Sequence, residues 1–227
     1  MRIIGLPLLL GSALLAASSD LEKARDLEDR PALERMAAEL SGAAQKSRDN
    51  ADAQYRFALA SSYLAEVLLE LRDKAAAEHA ARAGIPAAER AVALKPDSSE
   101  YHRILGTLCG QVVPANVLLG MSYGKRAQDE IQKAITLDAK SAKAYLARGI
   151  GNYYLPPMFG GGPELAIRDI QRTIELDKQS AEAYLWLGLA FRKLHRNEEA
   201  RGAFTKSLAL NPDRIFTRQQ LDKTPAK

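Results

Sequence analysis

The chain has 227 residues, 47% of them hydrophobic and 26% charged, with a net charge of +4. That composition excludes disorder or a collagen-like repeat for the chain as a whole, and the length allows one domain or two small ones. A single cysteine, Cys109, excludes an intrachain disulfide framework and a multi-thiolate metal site, and His79, His102 and His195 lack ligand-pair spacing. Aromatics are only 6% and alanine is the commonest residue, which favours helices packed closely through small side chains.

In chain order, Met1-Arg2 gives one positive charge, an apolar run extends from Ile3 to Ala17, and Ser18-Ser19-Asp20 follow. A charged start, an apolar centre and small residues at the exit form the pattern of a secretory signal, here residues 1–19, cleaved after Ala17, Ser18 or Ser19. The apolar run is shorter than the ~20 residues a spanning helix needs. The expectation is an exported protein, periplasmic or secreted, with no membrane span in its mature chain and with Cys109 as a buried small hydrophobe. Residues 20–49 read as two capping helices, at about 20–28 and 31–46. Pro31 opens the second, and Leu33, Met36, Ala37 and Leu40 form its stripe.

An internal periodicity follows. Ala91-Val92-Ala93-Leu94-Lys95-Pro96, Ala134-Ile135-Thr136-Leu137-Asp138-Ala139, Thr173-Ile174-Glu175-Leu176-Asp177-Lys178 and Ser207-Leu208-Ala209-Leu210-Asn211-Pro212 are alike. Ser98, Ser141 and Ser180 each precede a glycine (Gly106, Gly149, Gly188) by eight residues, and Asn50 stands in the same relation to Ala58. These four residues are good helix N-caps, because each side-chain oxygen can accept from a first-turn amide. The pattern resembles the tetratricopeptide repeat, a pair of antiparallel helices A and B in 34 residues. The copy at 180–213 carries Tyr184, Leu187-Gly188, Phe191, Ala200, Phe204, Ser207 and Pro212 at the family's large and small positions.

The resemblance implies an all-α, right-handed α-solenoid. Its four repeats are 50–97, 98–140, 141–179 and 180–213, and residues 214–227 supply a final capping helix and tail. The N-caps are 48, 43 and 39 residues apart, all more than 34. Both ends of each unit are in register, so the excess belongs in the A–B turns. In the first unit it lengthens both helices, A to about Arg72 and B from Lys74 to Leu94, with a kink or break expected near Gly84 and Pro86. In the next two it forms insertions around Val112–Gly120 and Pro156–Pro163.

The insertions are apolar where turns are usually polar. Val112, Val113, Val117, Leu118, Leu119, Met158 and Phe159 read either as a lip that grips a partner or as padding against the long hairpin. The concave groove of such solenoids is lined by helix A, here by Tyr55, Leu59, Ser62, Arg103, Thr107, Leu146, Ile150, Tyr153, Leu185, Leu189, Arg192 and Lys193. The Lys/Asn carboxylate clamp of peptide-binding relatives is missing, because Leu146, Ile150, Leu185 and Leu189 occupy its positions. Arg148 stands where leucine is usual and reads either as a buried arginine paired with an acid or as a groove residue. Tyr101-His102-Arg103 has no partnered nucleophile, and Gly160-Gly161-Gly162 lacks the Lys-Ser/Thr ending of a phosphate loop.

Residues 20–101 carry 12 basic and 16 acidic side chains, and residues 102–227 carry 19 and 12. The basic half reads either as a contact for an acidic partner or surface or, more commonly, as a solvated face, and export argues against nucleic acid as a partner. The sequence therefore points to a non-enzymatic scaffold for a protein or peptide partner, without cofactor, metal or catalytic residues. The alternative is a small-ligand-handling component, on a loose similarity of layout to the periplasmic repeat proteins (T-components) of TRAP substrate-binding transporters.

Overall fold

The computed structural model describes residues 19–115 and 117–226. The leader read at 1–19 therefore lies outside the described residues apart from Ser19, which is already helical. Eleven α-helices follow one another among the described residues, with no strand. They are α1 (19–26), α2 (Arg30–Lys46), α3 (Ala51–Glu70), α4 (Lys74–Leu94), α5 (Ser99–Val112), α6 (Tyr123–Leu137), α7 (Ala142–Tyr154), α8 (Pro163–Leu176), α9 (Ala181–Lys193), α10 (Asn197–Leu210) and α11 (Ile215–Asp222). Odd-numbered helices take the A role and even-numbered ones the B role. Antiparallel A–B pairs stack into a right-handed solenoid.

Local chemistry sets the starts of the A helices. Asn50, Ser98, Ser141 and Ser180 each accept, through the side chain, a hydrogen bond from the amide three residues on, at 3.0–3.3 Å. Each bond satisfies one donor that the first helical turn cannot satisfy internally.

Close approach of small residues holds each pair together. A Cβ added to Gly106 would lie 2.7 Å from Ile131, one on Gly149 2.9 Å from Ile170, and one on Gly188 2.6 Å from the Phe204 ring. In the first pair Ala58 is fully buried at the matching position. At the open end of three pairs a hydroxyl ties the helices. Ser99 donates to the Ala134 carbonyl at 2.8 Å, Thr173 to Ala142 at 3.3 Å and Ser207 to Ala181 at 2.8 Å.

The 20-residue α3 and 21-residue α4 form the long hairpin that the spacing requires. The expected break near Gly84 is absent, and α4 runs unbroken through Pro86. Its buried face, Ala77, Ala80, Ala81, Gly84, Ile85, Ala88 and Ala91, packs along its length. That packing holds the helix together across the one missing hydrogen bond. Cys109 is buried and free, and burial raises its thiol to about 11.

The apolar interior is divided. A first core runs from Leu21 to Ala127, and a second joins Ala166–Phe204 with Leu146, Ile150 and Tyr153 packed against it. A smaller cluster, Ile131, Ala134, Ile135, Ala144 and Ala147, lies between them at the α6–α7 junction. The Phe204 ring has no exposed surface and nowhere to retreat. We therefore expect Gly188→Leu to destabilise the chain by ~1–3 kcal/mol or more, read by urea denaturation. An unchanged midpoint would contradict the packing of the last repeat.

Candidate functional site

Three A–B turns are tight. Each has three residues with a left-handed residue in the middle: Glu28 (φ 50°), Arg72 (φ 66°) and His195 (φ 59°). The other two carry the insertions. The first folds as short 3-10 turns at Val113–Ala115 and Val117–Met121, the second as one at Pro157–Phe159 closed by Gly160 at φ 81°.

The insertions split between padding and exposure. Val112 is fully buried and Leu119 packs against the first core. Leu118, Met121, Met158 and Phe159 are 77%, 86%, 82% and 66% exposed. Among the described residues the other exposed large apolar side chains are Leu27, Leu71 and Tyr154. All seven stand in, or at the helix end that opens, an A–B turn, and none stands in a B–A turn. Successive A–B turns lie on one edge of a solenoid, so this edge is apolar and the opposite one is not.

The helix A residues read as a groove lining have other roles. Leu59, Leu185 and Leu189 are buried in the cores and present no surface to a partner. Leu146, Ile150 and Tyr153 are half-buried against the second core. Arg103 is held by Glu100 at 2.6 and 2.7 Å, and the Tyr55 hydroxyl donates to the same carboxylate at 2.8 Å. Arg192 bonds Gln220 and Thr224 and so anchors the C-terminal cap. Arg148 does pair with an acid: it grips Asp169 with two bonds, at 2.9 and 2.6 Å, while Asn152 donates to the same carboxylate.

A cluster that the sequence did not flag crosses the concave side. Arg214, in the turn before α11, is 1% exposed. Its guanidinium donates to Glu70 at 2.5 and 3.0 Å, to Glu66 at 2.9 Å and to Glu182 at 2.8 Å. Arg25 grips Asp26 at 2.6 Å, approaches Glu182 to 3.6 Å and lies over the Tyr63 ring. Asn211 donates to Asp26 at 2.8 Å and Gln219 to Glu28 at 3.1 Å. The first and last A-type helices thus meet through polar groups up to 191 residues apart in sequence. The available local signal was the like-charge pair Glu66/Glu70, four apart on one helix face, an arrangement that a helix disfavours unless a cation lies between.

A family model described as RMD1-3: Regulator of microtubule dynamics protein 1-3 matches residues 19–155. The chain belongs to this family. No curated protein matches it. Solved structures similar to it include TTC0263, a thermophilic TPR protein of Thermus thermophilus. That protein is 16% identical with a TM-score of 0.66, over 91% of this chain and 97% of that one. The HusA haemophore of Porphyromonas gingivalis is also 16% identical with a TM-score of 0.66, over 84% of this chain and 96% of that one. At such identities the likeness is one of fold, and the fold is a tetratricopeptide solenoid.

The cluster has electrostatic consequences. Burial pushes the Glu70 carboxyl up to about 8 against the pull of Arg214, with Glu66 and Glu182 adding repulsion. Glu66 is raised as well, chiefly by burial. Burial also acts on Glu182, but the charges of Arg214 and Arg25 outweigh it and hold that carboxyl below its ordinary range. Glu100 is likewise desolvated, yet Arg103 and Tyr55 bring it to about 2.

An acid raised on folding gives stability that is complete below its unfolded value of 4.5 and is lost as pH climbs to about 8. An acid lowered on folding gives stability present above 4.5 and lost as pH falls towards about 2. Urea midpoints measured across pH should therefore peak in the mildly acidic range and decline on both sides. Glu70→Gln should flatten the alkaline limb, and a wild-type alkaline limb in that variant would contradict the assignment.

Proposed function

We propose that the chain is an exported, non-enzymatic scaffold that binds a protein or peptide partner through its apolar A–B edge. One observation carries this reading: every large apolar side chain exposed among the described residues is gathered at the A–B turns. A groove floor of buried leucines and paired arginines supports the edge rather than the concave face as the contact. Family membership and the solenoid fold support a protein-interaction role in general. The signal-like first nineteen residues support export, to the periplasm or medium. Among the described residues no helix is long and apolar enough to cross a membrane.

The double change Met158→Ser with Phe159→Ser tests the edge. Both side chains are already mostly in water, so the unfolding free energy should stay within about 0.5 kcal/mol of wild type. Recovery of the partner cross-linked to the native chain should fall sharply. Lowered stability with full recovery would return the insertion to padding.

Export is tested separately. Residues 1–25 fused to a reporter should carry it out of the cytoplasm with the loss of 17–19 residues, as the small-residue sites after Ala17, Ser18 and Ser19 require. A reporter that stays inside with an intact N-terminus would overturn the localisation and leave the edge untouched.

A further inference from the structure

The two apolar cores do not cross the concave side. The first uses residues up to Ala127 and the second begins with helix α7. What joins α1 and α3 to α9 and the turn before α11 is charge and hydrogen bonding: Arg214 on Glu66, Glu70 and Glu182, Arg25 near Glu182, and Asn211 on Asp26. Separating two apolar surfaces costs free energy in proportion to the area re-exposed to water. Separating ions is different, because water restores much of the solvation that burial removed and offsets the lost attraction. The cluster also holds four carboxyl groups (Asp26, Glu66, Glu70, Glu182) against two guanidiniums. Burial and mutual repulsion raise Glu70 and Glu66, so the guanidiniums face carboxyl groups that are not all ionised. Opposite the cluster, the two halves are joined where α7 packs on α5 and α6, and the apolar part of that junction is a small group of isoleucine and alanine.

We propose that the Arg25/Arg214 cluster is a latch. It holds the first and last repeats together and keeps the concave face closed. Its release swings the two halves apart about the α6–α7 junction and uncovers the inner faces of α7 and α9. This device is independent of the A–B edge, and neither reading requires the other.

The chain carries its own reporter. Trp186 is the only tryptophan, it is 9% exposed, and it stands one helical turn from Glu182, beside the cluster. In the wild type its emission should be blue-shifted and poorly quenched by acrylamide. Arg214→Gln removes the charge that three carboxylates share. It should give a several-fold rise in acrylamide quenching and a larger radius of gyration by small-angle scattering, with the far-ultraviolet helix signal unchanged. Unchanged quenching and scattering in a folded Arg214→Gln chain would overturn the latch.

Should that variant lose its helices, a second one decides. Asp26→Cys with Asn211→Cys, made together with the milder Arg214→Lys that loosens the latch while keeping a charge in place, puts two thiols across the weakened closure, while Cys109 is buried and escapes labelling. A short bis-maleimide across the pair holds the ends together. The cross-linked chain should then show lower Trp186 quenching and a smaller radius than the same chain with its two thiols separately capped. Equal values in both forms would mean that the ends do not open, and the proposal fails.

Discussion

The contact on which the rest of the solenoid depends is the approach of helix A to helix B at the small eighth position of each repeat. Gly106, Gly149 and Gly188 leave no room for a methyl group against Ile131, Ile170 and Phe204. A close-packed interior cannot absorb a shift there, so each pair is fixed in register along its length. Extra residues then have two places to go. They can lengthen both helices equally, as in α3 and α4, or they can spill into the A–B turn, as between α5 and α6 and between α7 and α8. The B–A turns stay short because the next repeat must dock on them at once. One edge of the molecule therefore grows and gathers exposed apolar side chains while the other does not.

Curvature brings the ends of this stack together, and the chemistry at the meeting differs from that of the cores. Arg214 is as deeply buried as any leucine of the interior, yet its neighbours are carboxylates. Buried ions of this kind are expensive to desolvate and return most of that cost only when geometry is good. What they supply here is a defined alignment. A guanidinium that grips Glu70 with two bonds and reaches Glu66 and Glu182 fits one relative placement of α3, α9 and the C-terminal turn. An apolar seam would slide and would tolerate many placements. The Arg148–Asp169–Asn152 group does similar work within the α7–α8 pair, fixing the two helices next to the insertion that separates them.

The legible parts of the fold were those written in local chemistry. The four N-caps, the small residues and the repeated endings, a small residue three before a leucine, each report on a few consecutive residues. Their spacing locates the insertions without knowledge of any distant contact. Pro86 reads locally as a helix breaker, yet α4 continues through it without a break while packing a full alanine-rich face. The insertions were readable as apolar but not as inward or outward. In a 3-10 turn residues three apart share a face, so Leu118 and Met121 point out together while Leu119 between them packs in. The closure was the least legible feature. Arg214 lies 144–148 residues from Glu70 and Glu66, and their meeting depends on the summed rotation of every repeat between them.

The edge and the closure are distinct surfaces that share a frame. Glu70 ends α3 inside the ion cluster, and the next residue, Leu71, stands exposed on the A–B edge. Tyr154 ends α7 exposed on that same edge, four residues before Met158. Its ring lies edge-on to Trp186, 5.8 Å away, which stands one helical turn from Glu182. Two of the turns that bear the apolar side chains are therefore built directly onto groups that hold the ends together. The A–B edge and the concave face are in this sense two sides of the same helix ends, α3 and α7, and the position of those ends sets the geometry of both.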